Sequence, residues 1–505
     1  MNVIHILCDT LRIDHCGPYQ RGRPLNADNF DAPAWTVPTP NMTRLGERGT
    51  VFTNCWCGST PCMPARRDIY TGRYEFLERG WGPLDEEDND LPRQVSGAPN
   101  RSVQQVLASG DQISYLITNH FHLWEQGSGN YHMGYTGFEF IRGQESDAFY
   151  TDPVDFPCPE KDRMWKSERH WRNRHLEYKS AEDAFGRRVF ERAADWLERN
   201  HTYDDFFLHI DLFDPHEPWD PPEELVRMFD PKGYDIDGWS AAAPYEKCRE
   251  TMDPALYENY RARYAAKVVQ VDQWLGLLMD AMDRLGLWEN TLLVLTTDHG
   301  TWNGDYGRLG KLQTHLHEGC GHIPLIVCHP EHGHGEVRSQ PVQLVDLYPT
   351  TLAALGRPVP DMPVEKPLHG VNLLPVIEDP AVTTRKYAIS GMFGESVTCT
   401  DGDWILHQRP VPGNQPLYWH GYCLAKFLPY DLGPYVNGAR AVSLPEPRVK
   451  EPTWLSNKQE DPWERKNLAG DDPVKLKEMQ RALRETLVRS RAPGEQLDRL
   501  GLRSL

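Results

Sequence analysis

An α/β fold is predicted for this 505-residue chain: a large, mainly parallel sheet sandwiched by helices, with a smaller C-terminal α+β subdomain containing an antiparallel sheet. Three observations predict it. Apolar runs of strand length recur without polar alternation, amphipathic helical patterns lie between them, and near residue 385 the texture changes to short strand-like runs joined by Asp-Gly turns.

Taken in order, the apolar runs are VIHILC (3–8), ISYLIT (113–118), FFLHIDLF (206–213), TLLVLTT (291–297) and IPLIVC (323–328). Ala181, Phe185, Val189, Ala193 and Leu197 mark the buried face of one helix; Tyr264, Val268, Val271, Leu275, Leu278, Met282 and Leu285 mark a longer one. Residues 147–180 and 214–256 are polar and rich in Pro, Trp and charge, and read as loops or insertions near a site rather than core. From 385 the stretch YAISGMFGESVTCTDGDWILHQRP predicts the antiparallel sheet, followed by a Pro-rich segment and a helix near 473–490. The expected division is a catalytic domain over 1–384 and the subdomain over 385–505, with no internal repeat.

A formal net charge of −19 argues against nucleic acid and anionic membrane as partners, since both demand the opposite sign. The opening MNVIHILCDT lacks the basic and long apolar regions of a signal peptide, and no run reaches the length of a membrane span. The expectation is a cytoplasmic protein. Its 11 cysteines, odd in number and irregularly spaced, predict reduced thiols.

Ligands of open α/β sheets gather at the carboxyl ends of strands, so the residues after each run carry the functional reading. These are Asp9, then His120 and His122, then His216, then Asp298 and His299. Asp9, Asp298 and His299 suit a divalent metal; singly, each aspartate also reads as a helix cap and His299 as a structural histidine. Cys62, in GSTPCMPARRDIYTGRYEF, has no activating partner beside it, and Cys55, Cys57 and Cys62 lack the paired spacing of a structural zinc site. Arg67 and Arg73 read as solvated or paired in the core, DEEDND (85–90) as an exposed face or loop, and Trp124, Trp219 and Trp302 as core or rim packing beside the site loops.

Together CMPAR (62–66) followed by TGRY, HFHL (120–123), PHEP (215–218), TTDHG (296–300), LGK (309–311) and DPWERKNLAGDDP (461–473) resemble the sulfatase family of the alkaline phosphatase superfamily, including its phosphonate monoester hydrolase branch. The resemblance implies hydrolysis of sulfate monoesters, arylsulfatase-like, with Cys62 oxidised to formylglycine by a formylglycine-generating enzyme that binds transiently. It implies a hydrated diol that attacks sulfur, leaving a covalent sulfo-enzyme that collapses to the aldehyde. It further implies one divalent ion, calcium or manganese, on Asp9, Cys62, Asp298 and His299, with Asp298 accepting the diol proton and Arg66 holding the diol. By the same resemblance His122 is the base for collapse, His120 stands where the family often has lysine, and His216 and Lys311 contact the sulfuryl oxygens and protonate the leaving group. A small anionic ester as substrate and a homo-oligomer are the implied partners. Two departures stand out: Asp9-Thr10 where many sulfatases have paired aspartates, and His120 itself. The alternatives are a phosphonate monoester or phosphodiester hydrolase using the same nucleophile, and a noncatalytic anion-binding homologue, against which the joint presence of Cys62, Arg66, Asp298, His299 and Lys311 speaks.

Overall fold

Asn2–Cys8 lies at the middle of an eight-stranded sheet in the computed structural model, which describes all residues but 21–34, 86–87, 99–100, 126–130, 164–166, 234–238, 312–314, 423–430 and 445–446. The sheet order is 336–338, 50–52, 325–328, 291–296, 2–8, 207–212, 114–118, 137–140. The first strand runs parallel to both neighbours, Ile6 facing Leu295 and Ile210. Ser114–Thr118 and Gly137–Phe140 continue the parallel run, so these carboxyl ends open on one edge.

Leu325–Cys328 is antiparallel to both of its neighbours. Among the described residues between Thr296 and Leu325 lie the small hairpin 302–303/309–310 with the turn 305–307 at its tip and one helical turn, 318–321, and no crossover helix of the kind a parallel return requires.

Both faces are apolar, as the uninterrupted runs predict. Ile4, Ile6 and Cys8 pack with Leu208, Ile210, Leu293 and Leu295 against the helices Phe185–Asn200 and Pro254–Leu285. Val3 and Leu7 turn the other way, with Leu116, Leu292 and Val294, onto Met63, Ala65 and Ile69 of the helix Cys62–Thr71. The long helix is bounded by its own sequence: Asp253 accepts the N–H groups of Ala255 and Leu256, Pro254 occupies the first turn, and Gly286 ends it at φ 65°.

Three expectations need correction. The helix expected from Ala181 starts at Phe185; Ala181–Asp183 is a separate turn, in which Asp183 accepts the N–H groups of Lys179 and Ser180 and Ala184 is extended. Segments 147–180 and 214–256 are not merely loops: Ser167–Glu177 is helical, and Trp171, Trp219 and Trp239 are buried in the main core. That helix is too charged to show an apolar stripe, and it is anchored instead by His170 on Asp220 at 2.9 Å. In DEEDND, of which Glu86 and Glu87 lie outside the described residues, Asp85, Asp88 and Asp90 are not an exposed face. Asp85 and Asp88 turn inward to Arg79 (2.9 Å) and Arg67 (2.8 Å), and Asp90 caps the helix Leu91–Ser96.

The second sheet contains the antiparallel strands 388–392, 397–400, 404–408 and 454–457, with Asp401-Gly402 at the turn between the second and third. Helix Pro473–Arg489 covers it through Met479, Leu483 and Leu487. Its edge is completed by Ser59–Thr60, parallel to Gly391–Met392, so this sheet grips the segment that leads into Cys62. Among the described residues no helix is long and apolar enough to cross a membrane.

Candidate active site

Asp9 follows the first strand, His120 and His122 follow Ser114–Thr118, His216 follows Phe207–Leu212, and Asp298 and His299 follow Thr291–Thr296. Four strands adjacent in the sheet therefore deliver their termini to one edge, which is why the sequence order hides a compact site. Cys62 arrives from the other side, at the first residue of the helix Cys62–Thr71. Pro64 costs nothing in a first turn, which has no intrahelical use for its N–H, and Arg66 lies one turn on, above Cys62. The Arg66 Nη1 donates to the Cys62 carbonyl at 3.1 Å. The C-x-P-x-R spacing is thus a helix-start geometry, closed by Gly72 at φ 67°.

Around Cys62 Sγ stand Lys311 Nζ at 3.4 Å, His299 Nε2 at 3.6 Å and Asp9 Oδ1 at 3.7 Å. Arg66 Nη1 also reaches Asp298 Oδ2 at 3.0 Å and Asp9 Oδ2 at 3.1 Å. Thr10 has a left-handed backbone, φ 61°, unusual for a β-branched residue; it is held there by Tyr264, whose hydroxyl donates to the Thr10 carbonyl at 2.8 Å. The Thr10 N–H consequently donates to Asp298 Oδ1 at 3.0 Å, joined by the His299 N–H at 2.8 Å. Thr10, a departure from paired aspartates, acts here through its backbone.

These groups suit a divalent ion. Ligand atoms of Asp9, Cys62, Asp298 and His299 lie within 4.8 Å of one another. His299 Nδ1 donates to the Gly300 carbonyl at 2.7 Å, which fixes the tautomer with the Nε2 lone pair turned to Cys62. Burial and the Asp298 charge push Asp9 up to about 6. Burial works the same way on Asp298 but is outweighed by His299, Arg66 and the Thr10 N–H, which hold it well below the usual carboxylate range. Asp9, Asp211 and Asp298 against Arg66 and Lys311 leave one excess negative charge; a dication reverses the sign to the one an anionic ester needs. The Cys62 thiol is pushed well above its usual range by burial and by Asp9, a poor setting for a thiolate nucleophile.

The histidines ring the opposite side. His120 Nε2 meets Asp9 Oδ2 at 3.0 Å, while its buried Nδ1 has no partner among the described residues. Phe213 links His120 (4.8 Å between ring centroids) to His216 (4.3 Å) and His122 (6.0 Å). Burial and then Arg66 lower His120; burial and then Lys311 lower His216. His216 Nδ1 donates to the Glu217 carbonyl at 2.6 Å, so a neutral His216 presents a lone pair at Nε2, and Lys311 stands beside Cys62 as an ammonium; burial works against that charge but is outweighed by the neighbouring acidic groups, which raise Lys311 above its ordinary range. His122 bonds Glu125 through Nδ1 and has Glu145 Oε2 3.6 Å from Nε2.

The sequence reading missed Asp211, Glu217 and Tyr245. Asp211 takes Arg66 in a bidentate pair, 2.7 and 2.8 Å, with both side chains fully buried. Its signal was available: an aspartate inside a buried apolar strand requires a cationic partner. Glu217 accepts the Tyr245 hydroxyl, and Tyr245 packs over Gly310 next to Lys311, so these two residues of the insertion wall the site. Trp219 and Trp302 are core residues; Trp124 stacks on Phe140, 4.0 Å between centroids.

Comparison with known proteins gives a match of residues 1–357 to the sulfatase family model. The chain is similar to the arylsulfatase K of Xenopus laevis, 24% identical over 482 residues, covering 89% of this chain and 77% of that protein. To the arylsulfatase K of Canis lupus familiaris it is 24% identical over 369 residues, 67% of this chain, and spans 62% of that protein. In fold it is similar to a protein solved in complex with its substrate D-glucosamine-2-N,6-O-disulfate, with a TM-score of 0.65, 17% identity and 98% of each chain covered. It is likewise similar to the phosphonate monoester hydrolase of Agrobacterium radiobacter, with a TM-score of 0.61, 19% identity and 97% and 95% covered.

Proposed function

Because the chain belongs to the sulfatase family, we propose that it is a sulfuric ester hydrolase acting on sulfate monoesters at the pocket around Cys62, with Cys62 the precursor of a formylglycine and a small anionic ester as substrate. The observation that carries this reading is Cys62 at a helix N-terminus, within 3.7 Å of Lys311, His299 and Asp9 together. Asp9, Asp298, His299 and residue 62 would hold a divalent ion, calcium or manganese, which would supply Lewis-acid polarisation there. Arg66, pinned by Asp211, fixes the first helical turn so that residue 62 cannot swing. Lys311 neutralises a sulfuryl oxygen and is the cation from which a departing alkoxide takes its proton. His216 and His120 line the sulfuryl side, and burial keeps both neutral until an anion arrives.

Peptide mass spectrometry of chain co-expressed with a formylglycine-generating enzyme is the test: residue 62 is expected to have lost its sulfur and become an aldehyde. An active enzyme with an intact thiol would remove the formylglycine reading. Matched aryl sulfate, phosphonate and phosphodiester substrates decide the ester class. Sulfate is expected to give the highest kcat/KM; dominance of a phosphorus ester would instead favour the hydrolase branch that the single Asp9-Thr10 carboxylate suggests.

Glu217 predicts a pH dependence. Burial pushes its carboxyl up to about 7, against the pull of Lys311, so it is neutral below that pH and an anion above it. An anion beside Lys311 competes with the substrate's own charge, so kcat/KM is expected to fall as pH rises through about 7. Glu217→Gln should flatten that limb of the profile while keeping the Tyr245 hydrogen bond; an unchanged limb would assign the ionisation elsewhere.

A further inference from the structure

Away from Cys62, another buried group converges as metal ligands do. His317 Nδ1 and His407 Nε2 lie 2.9 and 2.6 Å from one oxygen, Glu464 Oε2, and the ligand atoms of all three are within 4.8 Å of one another. They come from distant parts of the chain. His317 follows the Lys311 loop at the start of the turn Glu318–Gly321, His407 is on the second sheet's strand Trp404–Gln408, and Glu464, at φ 57°, is in the segment 461–473.

The surrounding contacts orient these donors. Glu464 Oε1 accepts the Glu318 N–H at 2.8 Å, leaving Oε2 to the two imidazoles. The far nitrogens have outer partners, the Thr398 hydroxyl at 2.8 Å from His407 Nδ1 and Glu451 Oε2 at 3.9 Å from His317 Nε2. Metal-bound imidazoles are oriented in this way. His315 stacks on His407 at 5.0 Å, but both of its ring nitrogens are engaged, by the Ser396 hydroxyl and the Pro452 carbonyl, so it is not a ligand. A neutral hydrogen-bonded network suits His317 poorly: donating from Nδ1 to Glu464 would turn the Nε2 lone pair toward the Glu451 carboxylate. A metal at Nδ1 would put the proton on Nε2, facing Glu451, with the Glu464 carboxylate as co-ligand in place of a hydrogen-bond acceptor.

We propose that His317, His407 and Glu464 form a second metal site, separate from the Cys62 site, which takes a borderline divalent transition ion of the zinc class and staples the turn Glu318–Gly321 to the C-terminal sheet. Two imidazoles and one carboxylate match zinc rather than calcium, and tetrahedral ligation needs the donors to open only to about 3.3 Å, with water in the fourth position.

The test uses the full chain carrying Asp298→Asn, which removes a ligand at the Cys62 site, stripped with chelator, equilibrated with ZnCl2 and desalted. About one zinc per chain is expected, with visible absorption after cobalt substitution and a rise in Tm on adding zinc. His317→Asn and His407→Gln keep an amide N–H aimed at Glu464 but lose the imidazole. Each should weaken zinc binding by at least about tenfold and abolish the Tm response. Zinc-free protein with no Tm response would show an imidazolium–carboxylate network instead, and zinc undiminished in both variants would place the ion elsewhere. Should Asp298→Asn fail to fold, the wild-type chain is expected to hold one zinc more than His407→Gln, and equal counts overturn the site. The difference in zinc between the parent chain and the His317 and His407 variants isolates this site whatever the state of Cys62, and no readout depends on turnover, so this inference can fail while the sulfatase reading stands.

Discussion

Asp298→Asn is expected to lower kcat/KM by about a thousandfold or more and to abolish binding of a divalent ion beside Cys62. Asp298 accepts on both oxygens: Oδ1 takes the Thr10 and His299 N–H groups at 3.0 and 2.8 Å, and Oδ2 faces Arg66 at 3.0 Å with a second lone pair left for an ion. Asparagine can keep its oxygen on the backbone donors, which turns its NH2 group toward the guanidinium, donor against donor. It also removes the charge that, with Asp9, makes the pocket negative enough for a dication. The sign of the pH effect follows from the lowered carboxyl. Its contribution to stability is present above the ordinary aspartate pKa and lost as pH falls through the depressed folded value, so wild type and variant should converge in stability in strong acid. Metal analysis after desalting, with kcat/KM on an aryl sulfate, reads both effects. Full occupancy with activity within tenfold of wild type would take Asp298 out of the site.

The strands were legible because a doubly covered sheet demands uninterrupted apolar runs, and Asn2–Cys8 and Thr291–Thr296 are buried along their whole length. Strand-end residues were legible because adjacent parallel strands must deliver their termini to one edge, as they do for Asp9, His120, His216 and Asp298. What sequence patterns hid were charges compensated over long sequence separation. Asp85 and Asp88 look solvated until Arg67 and Arg79 turn out to be buried beneath them, and helix Ser167–Glu177 looks like a loop because His170 docks through Asp220 rather than through an apolar stripe. The walls of the pocket, Glu217 with Tyr245, and Glu125 and Glu145 beside His122, come from irregular segments with no period to read.

Asp211→Ala is expected to cost about 3–5 kcal/mol of stability, because it strands a fully buried guanidinium whose Nε and Nη2 both bond that carboxylate. The activity loss should be separable from this. Arg66 reaches the Cys62 carbonyl, Asp9 and Asp298 through Nη1 alone, so freeing its other edge lets the guanidinium tilt and residue 62 shift with it. A displacement near 1 Å at a reacting group costs about a hundredfold in rate. The double variant Arg66→Met/Asp211→Leu distinguishes the two effects, since replacing a buried ion pair by apolar groups of similar volume is often neutral for stability. Urea unfolding of this double variant should recover part of the loss seen in Asp211→Ala, since Asp9 and Asp298 lose Arg66 in it, while kcat/KM should stay at the low level of Arg66→Met. Recovery of activity along with stability would mean that Arg66 serves only the fold. No recovery of stability would mean that leaving Asp9 and Asp298 without Arg66 costs as much as leaving the guanidinium without Asp211.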